Sequence, residues 1–159
     1  MNIKKISLLI GGVVILGVAY YGLSPLWKTS TLNEPLPTPV LTTQNEEAAT
    51  SSAPQVLATA SIVDTPTHPG SGSVSLIQAG EQRIIRFEQF KTINGPDLFV
   101  YLSTDTKASD FINIGSLKAT EGNFNYPVPP GTDLTKYRYV LVWCEAFGVL
   151  FNSADITIE

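Results

Sequence analysis

Cys144 is the only cysteine in this 159-residue sequence, and it lies in the apolar run 139–147. A lone thiol can be an inert core residue, a redox-active group, a cofactor ligand or half of an intermolecular disulfide. The alternation of side chains along a strand puts Cys144 on the same face as Val140 and Val142. A redox role needs a thiolate, which a nearby cation or helix N-terminus favours, and the sequence places neither beside Cys144. The sequence therefore leaves all four roles open.

Other residues able to hold a metal or run a hydrolytic reaction are scarce. His68 is the only histidine and Met1 the only methionine, and there is no Cys-x-x-Cys, haem-attachment, Walker A, His-Glu-x-x-His or Gly-x-Ser-x-Gly motif. The aspartates lack the spacing of a calcium loop, so no metal site is predicted. The absence of a recognisable catalytic constellation argues against an independent enzyme.

The residues Asn94, Gly95, Pro96 and Asp97 come directly before the apolar strand predicted at 98–103. This composition is typical of a turn. The segment is therefore either an ordinary turn or a binding loop.

The N-terminal segment has the pattern of a membrane anchor. Residues 6–23 carry no charge, Lys4 and Lys5 precede them, and aromatic residues flank them. This predicts a transmembrane helix within residues 1–27, in contact with membrane lipid, with the N-terminus in the cytoplasm and the rest outside it. A cleaved signal peptide is the alternative, but bulky Tyr20 and Tyr21 stand where small residues are needed.

Residues 28–67 are predicted to form a flexible, disordered linker. Residues 28–68 contain five prolines and thirteen serines or threonines, with few aliphatic residues. A random coil of this length spans about 35 Å, which would hold the folded domain away from the membrane and within reach of another exported redox or surface protein.

A nucleic-acid partner is not expected, because the formal net charge is −4 and the basic residues are scattered.

The folded domain is predicted over residues 68–159 as a single all-β, β-sandwich-like unit. Short apolar runs separated by Gly, Pro, Asn and Asp indicate eight strands. Their predicted ranges are 72–78, 82–87, 98–103, 111–117, 122–128, 139–145, 148–151 and 154–158. A single helical turn capped by Asp133 is expected over residues 133–137.

Five segments of this region, in a fixed order, resemble the DM13 domain family. They are RFEQF (86–90), NGPDLFVYLS (94–103), IGSLK (114–118), GNFNYPVP (122–129) and YRYVLVWCEAFGVLF (137–151). The resemblance covers residues 68–156, nearly the whole predicted domain. It implies a β-sandwich-like module on exported or cell-surface proteins, and a cysteine matching Cys144 that acts in electron transfer, either as a bare thiol or by holding a prosthetic group such as haem.

Two functions from different classes follow from this reading. The first is a membrane-anchored electron-transfer or redox accessory module centred on Cys144. If haem is bound, Cys144 would be the thiolate ligand and His68 the one imidazole that could oppose it. The second is a non-catalytic adhesion or ligand-binding module that uses the loops at 94–97 and 122–126.

Overall fold

A computed structural model of the protein describes residue 12, residues 29–37 and residues 53–158. Residues 29–37 and 53–158 contain ten strands and no helix. The strands are β1 (Thr31–Asn33), β2 (Gln55–Ser61), β3 (Val63–Asp64), β4 (Gly70–Ala79), β5 (Gln82–Thr92), β6 (Leu98–Ser103), β7 (Phe111–Ser116), β8 (Glu121–Pro127), β9 (Tyr139–Cys144) and β10 (Val149–Asp155).

The strands form two five-stranded sheets. The first has the order β1-β8-β5-β4-β2 and the second β3-β10-β9-β6-β7. All the pairings are antiparallel except that of β1 with β8. One core of buried residues draws on both sheets, including Phe87 and Phe124 from the first and Val100 and Val142 from the second. The prediction of an all-β, two-layer fold is confirmed for these residues.

The segment predicted as a flexible linker differs from that expectation, because β1, β2 and β3 all lie within residues 28–67. β1 pairs with β8, β2 with β4, and β3 with β10, so each extends a sheet that the domain has already formed. These strands pair through backbone hydrogen bonds, to which side-chain composition is a poor guide. The sheets therefore include residues 31–33, 55–61 and 63–64 and are not confined to 68–159.

β10 unites two strands that the sequence pattern predicts as separate. Asn152 and Ser153 look like a break between apolar segments, but both are buried within the strand. The pairing with β9 shifts by one residue between Leu150 and Asn152, which marks a β-bulge. The bulge changes the direction of the strand where Phe151 enters the core.

The expected capped turn is present at residues 133–137. The Tyr137 amide donates to the Asp133 carbonyl at 2.9 Å. The Asp133 carboxylate accepts from the amide of Thr135 at 3.0 Å, as a capping residue does.

The predicted membrane anchor, residues 1–27, lies outside the described residues apart from Gly12. Within the described part of the chain, no helix is long and apolar enough to cross a bilayer. The anchor therefore stays a prediction.

Candidate functional site

Cys144 ends β9 with its thiol buried at one end of the sandwich. Its side chain is 0% exposed and belongs to the same core cluster as Val140 and Val142, as the strand pattern predicts. Its backbone pairs with Leu98 in β6 and Val149 in β10, so Cys144 lies on an inner strand of its sheet. The cysteine is a free thiol.

The loop of residues 94–97 covers this thiol. The Cys144 Sγ donates a hydrogen bond to the Pro96 carbonyl oxygen at 2.9 Å. The next amide, that of Glu145, donates to the Asp97 carbonyl at 3.0 Å, and Asp97 has a left-handed backbone with a φ of 51°. The structure thus brings together two elements that the sequence pattern singles out separately, and it joins them through backbone oxygens rather than loop side chains.

Phe151 packs against the same loop. A Cβ added to Gly95 would lie 2.7 Å from the Phe151 Cζ atom, so not even a methyl group fits between them. Asn94 accepts a hydrogen bond from the Gly95 amide at 3.0 Å through its side-chain oxygen, which shapes the turn. The loop therefore needs glycine at position 95 because of close packing.

His68 also contacts Phe151. The two rings stack with centroids 3.9 Å apart. The His68 Nδ1 lies 2.9 Å from the Thr65 hydroxyl and 3.1 Å from that of Thr67. Phe151 thus contacts both His68 and the loop that covers Cys144.

A buried polar pair fixes the segment that carries His68. The Asn152 amide nitrogen donates to the His68 carbonyl at 3.1 Å. Its side-chain oxygen accepts from the Thr92 hydroxyl at 2.6 Å. Asn152 is fully buried, so these partners satisfy a side chain that would otherwise be costly to bury. Asn152, which resembles part of a strand break in the sequence, thus holds two segments together.

These residues do not fit haem held between Cys144 and His68. The Cys144 thiol has no exposed surface and already donates to Pro96. One face of the His68 ring is covered by Phe151, and the space between Phe151 and Gly95 is too small for a methyl group. A porphyrin needs an open face at each ligand. In the residues that the structure describes, no group of three or more His, Cys, Asp or Glu side chains is placed to hold a metal ion.

The outer face of the same strands carries a second polar group, which the sequence analysis missed. The Tyr101 hydroxyl donates a short hydrogen bond to the Glu145 carboxylate. Burial raises the pKa of Tyr101, and the hydrogen bond and negative charge of Glu145 raise it further. The two residues are 44 positions apart, and only the pairing of β6 with β9 brings them together. No sequence motif signals this contact.

An open cleft of about 880 Å³ lies away from Cys144, where the edge of β7 meets the β4–β5 turn and the end of β8. Its lining residues include Arg83, whose guanidinium donates to the Thr132 carbonyl at 2.8 Å.

The segment 122–126, predicted as a binding loop, is part of strand β8. A Cβ on Gly122 would clash with the Leu32 carbonyl of β1.

Comparison with known proteins is informative at the level of the family. Neither the curated proteins nor the solved structures gave a match. The family model described as "Electron transfer DM13" matches residues 62–156, which is more than half of the chain and includes β4 to β10, the loop at 94–97 and Cys144. The chain belongs to the DM13 family.

Proposed function

We propose that this protein is an electron-transfer module in which Cys144 is the redox group. The observation that supports this proposal is the environment of the Cys144 thiol. The thiol is fully buried beneath the loop at 94–97 and donates a hydrogen bond to the Pro96 carbonyl. Thiol–disulfide exchange requires another thiolate to attack the sulfur directly. A closed site excludes that attack, whereas an electron does not need the sulfur to be exposed. Membership of an electron-transfer family supports the same assignment.

The proposed oxidation is a one-electron step. The Sγ–H bond of Cys144 breaks and the electron passes to a one-electron acceptor on a partner protein. The Pro96 carbonyl does not take up the proton, which passes to solvent as the loop at 94–97 moves. The reverse step restores the thiol. The partner we propose is another exported redox protein or surface protein.

Titration with ferricyanide tests this assignment. At neutral pH ferricyanide takes one electron at a time and oxidises protein thiols but not tyrosine phenols, so it isolates Cys144 from the tyrosines. Native protein should reduce it faster than global unfolding can expose the thiol, and Cys144→Ala should not reduce it. A native protein that reduces ferricyanide only at the rate of its unfolding would identify Cys144 as a structural thiol and reject the redox assignment.

We further propose that residues 1–27 anchor the protein in the membrane with the domain outside the cytoplasm. The observed β1 strand changes the expected geometry. The Ser30 carbonyl already accepts from the amides of Thr120 and Glu121, both at 3.0 Å. Only residues 28–30 then separate the anchor from the fold, a span of at most about 10 Å. The domain would lie close to the bilayer surface rather than about 35 Å away.

Membrane fractionation tests the anchor. The full chain should stay in the membrane pellet after washing with high salt, because an apolar span is not held by charge. A chain that lacks residues 1–27 should appear in the soluble fraction. A full chain that washes off would contradict the proposed anchor.

A non-catalytic binding module is the second candidate, and the cleft that includes Arg83 favours it. The volume of about 880 Å³ is in the range of small-molecule sites. This alternative requires Cys144→Ala to keep full biological activity and Arg83→Ala to lose it. The redox assignment requires the opposite pattern.

A further inference from the structure

Tyr101 occupies a fixed position on the outer face of the second sheet, shielded from water. It is only 2% exposed. Its ring stacks on that of Phe111, with centroids 4.1 Å apart, and lies 6.4 Å from the ring of Trp143. A phenol held in this way can be oxidised without being open to side reactions with solvent.

The Tyr101 hydroxyl is paired with a proton acceptor. It donates to Oε1 of Glu145, and the same oxygen accepts from the Asn113 side-chain amide at 3.2 Å. Among the residues that the structure describes, no lysine, arginine or histidine forms an ion pair with Glu145. The carboxylate therefore faces hydrogen-bond donors but no cation that would neutralise it.

We propose that Tyr101 is a redox-active tyrosine that loses an electron and a proton together, with Glu145 as the proton acceptor. The O–H bond of Tyr101 breaks and a new O–H bond forms on the Glu145 carboxyl group. The electron goes to a high-potential one-electron acceptor, a metal centre of a partner protein. The products are a neutral tyrosyl radical and a protonated Glu145, and the return of one electron reverses both changes.

Burial explains why the proton must move with the electron. Oxidation without proton loss would leave a phenol cation in a site with little water, which is costly. Loss of the proton alone is also disfavoured, because burial and the Glu145 charge raise the pKa of Tyr101. Proton transfer to Glu145 avoids the phenol cation, because the Glu145 oxygen already accepts a hydrogen bond from the Tyr101 hydroxyl.

The proposal rests on the proposed electron-transfer function, because the partner that oxidises the module supplies the acceptor. Trp143 and Glu145 flank Cys144 on β9 and its turn, and side chains alternate between faces along a strand. The buried thiol thus faces the core while the aromatic and acidic neighbours face outward. Tyr101 and Glu145 give the module an oxidisable group on the side that a partner protein can approach.

Photo-oxidised ruthenium tris(bipyridine), a one-electron oxidant, tests the proposal in the full chain. Frozen samples of wild-type protein should give a tyrosyl radical by electron paramagnetic resonance. Tyr101→Phe keeps the ring but should remove the buried component of that signal. Glu145→Gln keeps the shape and an acceptor oxygen but binds the proton poorly, and should slow Tyr101 oxidation by roughly a hundredfold. Oxidation of Tyr101 in the wild-type protein should be slower in D₂O than in H₂O.

Tyr126 provides a matched control. It is equally buried, but its hydroxyl donates to the Ser116 carbonyl at 2.9 Å, and a carbonyl oxygen does not take up the proton. Tyr126→Phe should leave the radical signal unchanged. A Tyr137→Phe background removes a half-buried phenol that donates to the Asp110 carboxylate, which also pairs with Lys136.

Two results would overturn the proposal: a radical signal unchanged in Tyr101→Phe, or Glu145→Gln oxidised as fast as wild type. Urea unfolding of each variant checks that the fold persists. Cys144→Ala separates this proposal from the proposed function. Cys144→Ala should still form the Tyr101 radical. If native protein fails the ferricyanide test, the redox role of Cys144 is rejected but that of Tyr101 is not.

Discussion

Gly95→Ala should open the loop over Cys144. The added Cβ would lie 2.7 Å from Phe151 Cζ and 3.3 Å from Leu98 Cδ2. Carbon atoms pack favourably at about 3.5–4.0 Å, so the first contact is short by roughly 1 Å. Insertion of a methyl group into such a well-packed site costs about 1–3 kcal/mol. One side of the contact has to move.

The loop should move rather than the ring. Phe151 is buried and stacked on His68, whereas the loop is held to β9 by only a few hydrogen bonds. Displacement of the loop would carry the Pro96 carbonyl away from the Cys144 thiol. The native thiol should therefore react with a small alkylating agent faster in Gly95→Ala than in wild type.

Global destabilisation alone also speeds alkylation, by about tenfold for each 1.4 kcal/mol. Gly131→Ala is the control for this effect. Gly131 has a φ of 78° and nothing within 4 Å of an added Cβ, so alanine there costs about 1–2 kcal/mol in backbone strain without touching the loop. After correction for stability measured by urea unfolding, only Gly95→Ala should show faster alkylation. Equal corrected rates would refute the idea that the loop is the cover.

Two further predictions concern stability. Cys144→Ser should be tolerated better than Cys144→Ala, because a serine hydroxyl can donate to Pro96, whereas alanine leaves that carbonyl without its donor, at a cost of about 1–3 kcal/mol; urea unfolding that ranks serine as the worse change would contradict this. Burial acts to raise the pKa of Glu34, but its bonds to Lys118 and a backbone amide outweigh this and hold the pKa below 4.5. Protonation therefore favours the form without these contacts, so the stabilisation of β1 by Glu34 should be present above pH 4.5 and be lost as the pH falls below it. The loss should appear as lower amide-exchange protection factors in β1, with each rate divided into the intrinsic rate at the same pH. Glu34→Gln should remove that pH dependence.

The strands of the central sheet region were predictable because their side chains carry the signal. Cys144 on β9 alternates with outward-facing residues as the pattern predicts. β1 to β3 were not predictable, because edge pairing depends on backbone groups that every sequence offers. β10 was divided in two because buried Asn152 resembles a turn residue until its partners Thr92 and His68 are known.

The parts of the candidate site were predictable, but their meeting was not. Cys144 and the loop at 94–97 stand out by residue type and by resemblance to a family. The bond between them requires the pairing of Leu98 with Cys144, which follows from the sheet topology. Tyr101 and Glu145 lie in runs that look like ordinary strand sequence. Their contact depends on the same pairing of β6 with β9 across 44 residues.

The loop couples the two proposed redox groups. The Pro96 carbonyl accepts from the Cys144 thiol, and the Asp97 carbonyl accepts from the Glu145 amide. A displacement that frees the thiol would therefore also release the backbone of Glu145, whose carboxylate must stay aligned with the Tyr101 hydroxyl. A closed loop keeps the thiol shielded and the tyrosine paired with its proton acceptor at the same time. Because both arrangements depend on one short segment, loop opening favours direct chemistry at the sulfur and disfavours proton-coupled oxidation of the tyrosine.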